Sequence, residues 1–129
     1  MEKLTFNDPK LFYVSLAHLF YAVALADRKF AVEEKKAIID YVSQYWEFET
    51  DVIFSKEIIY ETLKELIKNK ATSQFSFITF RKFYVENQKK FKPELKKRIF
   101  DTVNGIADAS AGKNKSELII LNQIYKLIF

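Results

Sequence analysis

Four carboxylates beside two short polar loops are the residues of this chain best suited to chemistry: Asp27, Glu34, Asp108 and Glu117. Asp27 follows Ala24-Leu25-Ala26, which reads as a helix end, and Glu34 opens an amphipathic run seven residues later. Towards the other end of the chain, Ile106-Ala107-Asp108-Ala109-Ser110 leads to Glu117, seven residues after Ser110. A hard divalent cation such as Mg²⁺, Mn²⁺ or Ca²⁺ takes several oxygen ligands at about 2.0 to 2.6 Å. Asp27 and Glu34, completed by Glu117 or Asp108, are of the right chemical type for such a cage. The same residues have a structural use. Asp27 stands where the helix dipole opposes a carboxylate, so it is expected to accept loop N–H groups in an Asx-type turn while Glu34 reaches back to the N–H of Ala31. Arg28 and Lys29 compete for the carboxylates, and the sequence leaves both readings open.

A second candidate chemistry is phosphate recognition. Residues 1 to 61 hold seven Lys or Arg against eleven Asp or Glu, whereas residues 62 to 129 hold fourteen against six, so the two halves carry opposite charge. The densest part is Lys89, Lys90, Lys92, Lys96, Lys97 and Arg98 around Phe91. Such a cluster could track the phosphates of a nucleic acid or of an anionic membrane surface. Lysines there also suit a helix C-terminus and keep a protein in solution.

Catalytic groups are scarce. His18, the one histidine, lies within an apolar run with Leu11, Val14, Leu16, Phe20 and Leu25. It reads as a hydrogen-bonded core or groove histidine, since no Ser nucleophile nearby has a second group spaced to orient a base. Adjacent helical residues point about 100° apart, so Glu33 and Glu34 do not form a carboxylate dyad. No glycine-rich phosphate loop is present, and with no Cys there is no disulfide, thiol catalysis or thiolate zinc site. The expectation is a protein without enzymatic activity.

The elements that must position these residues are helices. With 129 residues, 49% hydrophobic, two Gly and two Pro, the chain is long enough for one domain with a substantial core, and a turn-rich β architecture is disfavoured. The expected fold is all-α, a single bundle of about five to seven helices with a repeated helix-loop-helix. Asp8 should cap a first helix, with Pro9 at its first position, running to about Ala26. Its apolar residues surround the axis, which places it at the centre of a bundle. The run is shorter than the roughly 20 residues of a membrane span, and the balanced charges before it do not resemble the basic start of a secretory leader. A cytoplasmic protein, free or peripheral to a membrane and without a transmembrane segment, is expected.

A second helix is predicted from about Val32 to Trp46, with Val32, Ile38, Ile39, Val42 and Tyr45 inward and Lys35, Lys36 and Asp40 outward. A third is predicted from about Asp51 to Lys70, capped by Thr50, with Ile58, Ile59, Leu63, Leu66 and Ile67 as its stripe. Ser55 is a potential interruption. Phe75, Phe77, Ile78, Phe80, Phe83 and Tyr84 favour a strand intrinsically, but no second strand exists to pair with them, so a helix from about Ser76 to Lys90 is predicted. A fifth helix starts at Pro93 and runs to about Ala109, and Gly105 inside it suggests a close helix crossing. Asn114 and Glu117 make an N-x-x-E capping box for a last helix.

The segments ALADRKFAVEEKKAI and IADASAGKNKSELIILNQI together resemble the TerB-like family, related to tellurite-resistance TerB and to the N-terminal domain of DjlA-type co-chaperones. The family hallmark is Ala-Asp-Gly, a hydrophobic residue two positions on and a Glu opening the next helix, given twice in an all-helical domain. Here the first copy has Asp27, Phe30 and Glu34, with Arg28 in place of Gly. The second has Ser110 and Ala111 in place of Asp-Gly, keeps Glu117, and carries Asp108 two residues early. The resemblance implies a small bacterial domain with a cation-binding acidic patch, acting through a protein partner in stress-response or membrane-associated assemblies.

Overall fold

The computed structural model describes residues 8–26, 32–46, 55–109 and 115–129, apart from the side chains of residues 32–35 and Tyr45. Asp8 caps α1 (Pro9–Ala24), its carboxylate accepting from the N–H groups of Lys10 at 3.1 Å and Leu11 at 3.3 Å. Pro9 fills the first helical position, where an N–H would have no helical partner. Phe12, Tyr13, Leu16, Ala17 and Leu19 are fully buried, and so is the run from Phe20 to Ala24 but for a trace of Tyr21. A helix apolar on every side must be enclosed. All five other α-helices touch α1, with α4 and α3 covering most of it.

The remaining helices among the described residues are α2 (Val32–Tyr45), α3 (Ser55–Lys68), α4 (Ser73–Glu86), α5 (Pro93–Asp108) and α6 (Lys115–Ile128), with a short 3₁₀ turn at Gln88–Lys90. The fold is therefore the all-α bundle expected, and no strand occurs among the described residues. The aromatic-rich stretch is helical because Ser76, Phe77, Phe80 and Tyr84, at helical spacing, all bury on one face. No helix among the described residues is long and apolar enough to cross a membrane.

Several boundaries and faces differ from the sequence reading. α4 starts at Ser73 instead of Ser76 because the Thr72 hydroxyl accepts from the N–H of Phe75 at 3.0 Å. It stops at Glu86, before Lys90, where the Asn87 side chain donates to the Phe83 carbonyl at 2.9 Å. Ile39 and Ile67, placed in the inward stripes, are 44% and 41% exposed. Each lies about 80° to 100° around its helix from the residue that anchors the core, Ile38 in α2 and Ile59 in α3. Thr50, Asp51 and Asn114 lie outside the described residues.

The α3–α4 connection is tightly specified. Ala71 donates to the Leu66 carbonyl and Lys70 to that of Ile67, at 3.0 and 3.1 Å, and Lys70 has a φ of 53°. This is a Schellman ending with lysine at the left-handed position usually held by glycine. Two further bonds fix the turn to the end of α1: Tyr21 Oη donates to the Ala71 carbonyl at 2.7 Å, and Ser73 Oγ to that of Ala22 at 2.6 Å.

Gly105 marks the close crossing foreseen for it. A Cβ there would overlap the Tyr41 ring, which crosses from α2. Gly105→Ala should therefore destabilise the protein by about 1 to 3 kcal/mol through overpacking. In a Tyr41→Ala background the same change should be stabilising by up to about 1 kcal/mol, because helix propensity alone remains. A double-mutant cycle measured by urea unfolding checks this reversal of sign.

Candidate functional site

Glu34 is the third residue of α2 and Glu117 the third of α6, so the two helix-loop-helix units start their second helices in the same way. Asp27, Ser110 and both loops lie outside the described residues, as does the Glu34 side chain. Glu117 is buried in the first turn of α6, where backbone N–H groups and the helix dipole favour a carboxylate. Asp108 ends α5 and is exposed. No group of three His, Cys, Asp or Glu side chains able to hold a metal occurs among the described residues. Glu117 and Asp108 alone supply too few oxygens for a hard cation, so a cage at this end of the bundle would depend on Asp27 and Glu34.

The basic cluster is split by the fold. Lys89 and Lys90 lie in the 3₁₀ turn and Lys92 precedes α5, while Lys96, Lys97 and Arg98 are consecutive on α5 and so point in three directions. Lys97 is bound to Asp101 at 2.6 Å. Arg98 places its guanidinium 5.5 Å above the centre of the Trp46 ring and lines a cleft with Tyr41, Glu94, Asp101 and Thr102. Lys89, Lys90, Lys92 and Lys96 form no ion pair among the described residues. They remain as the basic corner between α4 and α5.

Trp46, fully buried, meets two residues of that cleft, Arg98 and Thr102. Its indole N–H donates to Thr102 Oγ1 at 3.0 Å, and the threonine hydroxyl donates onward to the Arg98 carbonyl at 2.7 Å. The Ser55 hydroxyl donates to the Trp46 carbonyl, which joins α2, α3 and α5 at one point. Tyr13 is buried beside this junction. Burial pushes its phenol up to about 12, against smaller opposing effects of the Ser55 hydroxyl and the Arg98 charge. Burial also raises Tyr21.

His18 sits in a groove between α1 and α3, with Val14, Ile58 and Leu66 as its apolar lining. Its Nδ1 is hydrogen-bonded to the Val14 carbonyl at 2.9 Å, and Phe75 stands edge-on to it at 6.2 Å. Glu57, Glu61 and Glu65 also line this groove. Lys64 and Lys68 share their face of α3, and Lys64 approaches Glu61 at 3.6 Å, so the row is of mixed charge.

The sequence reading missed the exposed apolar faces. On α4, Phe75, Ile78 and Val85 are exposed at positions i, i+3 and i+10, along one stripe with Lys82 at i+7. On α6, Leu118, Ile119, Tyr125 and Phe129 are exposed. The signal was present as apolar residues on more of the helix surface than one buried face requires.

Fold and surface together define an all-helical bundle with two apolar outer faces, a basic corner and a buried carboxylate at the start of its last helix. No protein-family model, curated protein or solved structure matches the chain.

The Tyr13 environment carries a pH dependence. A phenol that ionises near 10 in the unfolded chain and about 12 in the folded one contributes its full stabilisation below pH 10 and loses it as pH rises through 12. Unfolding free energy should fall over that window. Tyr13→Phe should flatten the fall, leaving the smaller share of Tyr21, in denaturant titrations run at successive alkaline pH values.

Proposed function

We propose that the chain is a non-enzymatic, TerB-like interaction module in a bacterial stress-response or membrane-associated assembly, and that α4 presents its partner-binding face. The observation that carries this reading is the stripe Phe75, Ile78 and Val85, 42% to 57% exposed. It lies on a helix whose other face is anchored in the core by Phe77, Phe80 and Tyr84. A rigid helix with apolar residues at this spacing offers the anchors that protein recognition uses, and Arg81 and Glu86 supply a polar rim. A photo-crosslinker replacing Ile78 should capture a defined protein in cells. Phe75→Ser/Val85→Ser should weaken that complex at least tenfold while helicity and melting temperature stay near wild type. Failure to capture a defined protein, or a complex indifferent to the two substitutions, would overturn the reading.

The acidic loop has two uses open to it, a structural turn or a weak divalent-cation site. If its carboxylates are purely structural, Asp27→Asn lowers stability by about 1 kcal/mol with or without metal, as the loss of a cap does. If they bind a cation, millimolar Mg²⁺, Mn²⁺ or Ca²⁺ raises the melting temperature and Asp27→Asn abolishes the rise. The expected result is the structural one, since Arg28 and Lys29 compete for the few carboxylates.

A second reading, binding of nucleic acid or anionic lipid phosphates, is favoured by the corner of Lys89, Lys90, Lys92 and Lys96, which form no ion pair among the described residues. Retention on heparin that falls steeply with salt, and falls less steeply in Lys89→Gln/Lys92→Gln, is the expected signature. Weak retention at low salt would retire it.

A further inference from the structure

α6 is apolar on two sides and covered on one. Ile120, Leu121, Ile124 and Ile128 are buried where α6 packs on α5 and α1. Leu118, Tyr125 and Phe129 are 53%, 52% and 58% exposed, and Asn122 is exposed between them. Their intervals of four, three and four residues place these side chains within a band of about 60° on the helix. That alternation is a heptad seam, with Leu118 and Tyr125 at its d positions and Asn122 and Phe129 at its a positions. The seam is also set in advance. Phe100 of α5 stands edge-on to Tyr125 at 5.6 Å and to Phe129 at 6.0 Å, and the latter two rings lie 4.9 Å apart. Rings that hold one another have little freedom left to lose on binding.

We propose that a second copy of this chain covers the seam, α6 packing antiparallel on α6 about a two-fold axis. This surface is separate from the α4 face, and the pairing goes beyond the function proposed for that face. In an antiparallel pair an a residue of one helix meets a d residue of the other, so the seam is complementary to itself. Leu118 meets the Phe129 side chain of the second copy, and the Asn122 amide meets the Tyr125 hydroxyl, twice by symmetry. Apolar faces apolar and polar faces polar, whereas an unrelated apolar segment would leave the amide unpaired.

Charge selects the direction. In a parallel pair Lys115, at the preceding a position, would face its own counterpart. In the antiparallel pair the two Lys115 side chains stand at opposite ends of the seam, apart from each other. Three half-exposed apolar side chains per copy make a small patch, so the dimer is expected to form reversibly at micromolar or higher concentration.

Sedimentation of the full chain across micromolar to millimolar concentration should show a monomer–dimer equilibrium. Leu118→Glu and Tyr125→Glu, both at exposed positions, should each weaken it at least tenfold with helicity retained. The chain has no Cys, which gives a direct test of register without disturbing the core. Under mild oxidation a mixture of Leu118→Cys and Phe129→Cys chains should crosslink to each other, while neither variant crosslinks with itself. A monomer at every concentration, a dimer indifferent to both Glu substitutions, or self-crosslinking of a single variant would overturn the proposal. The α4 reading would stand in each case, because none of these substitutions touches α4.

Discussion

The constraint on which the rest of the structure depends is the circumference of α1. A helix with Phe12, Tyr13, Leu16, Leu19, Phe20 and Val23 around its axis has no side it can leave in water, and each of those side chains contributes roughly 1.5 to 3 kcal/mol when buried. One neighbour cannot cover such a helix. α3 and α4 take most of its surface and α5, α6 and α2 the remainder, so the arrangement of the bundle follows from covering one element. Each covering helix needs only one apolar face for this, and the apolar residues on the outer faces of α4 and α6 are in excess of that need.

The charge distribution is shaped by the same packing. Arg98 belongs to a run of basic residues in sequence, yet its place on α5 turns it towards Trp46 and the cleft beside Tyr41. There its guanidinium rests on an indole that is itself held by Thr102. Lys97, one position earlier, is held by Asp101. What a linear reading counts as six equivalent cations is in three dimensions a corner of four and two residues committed to other contacts.

How much of this was legible in the sequence depended on whether a signal was local. Asp8 followed by Pro9 specifies its cap by itself, the buried run of α1 needs no partner to be recognised, and Gly105 announces a tight contact because little else excuses a glycine in mid-helix. The start of α4 was misjudged because Thr72 stands before residues of strong strand preference, and only packing against α1 makes them helical. Ile39 and Ile67 were assigned inward because apolar residues one step off a stripe look the same as those on it until the neighbouring helix is in place. The candidate acidic loops lie outside the described residues, and of the paired motifs the structure shows only that Glu34 and Glu117 hold equivalent positions in their helices. The seam on α6 went unread because the last helix was read from its capping box alone, and spacing alone does not say that a helix has two apolar sides.

The latch between α1 and the α3–α4 turn joins residues far apart in the chain, Tyr21 and Ala71 being separated by 50 positions. α3 and α4, adjacent in sequence, make far fewer contacts with each other than either makes with α1, so they do not form a helical hairpin that could assemble alone. During synthesis α1 leaves the ribosome before either of the helices that enclose it. Its apolar circumference must wait for α3 and α4 to emerge, and the nascent chain passes through a stage in which its most water-averse segment is complete and uncovered, the condition in which chaperones engage a chain.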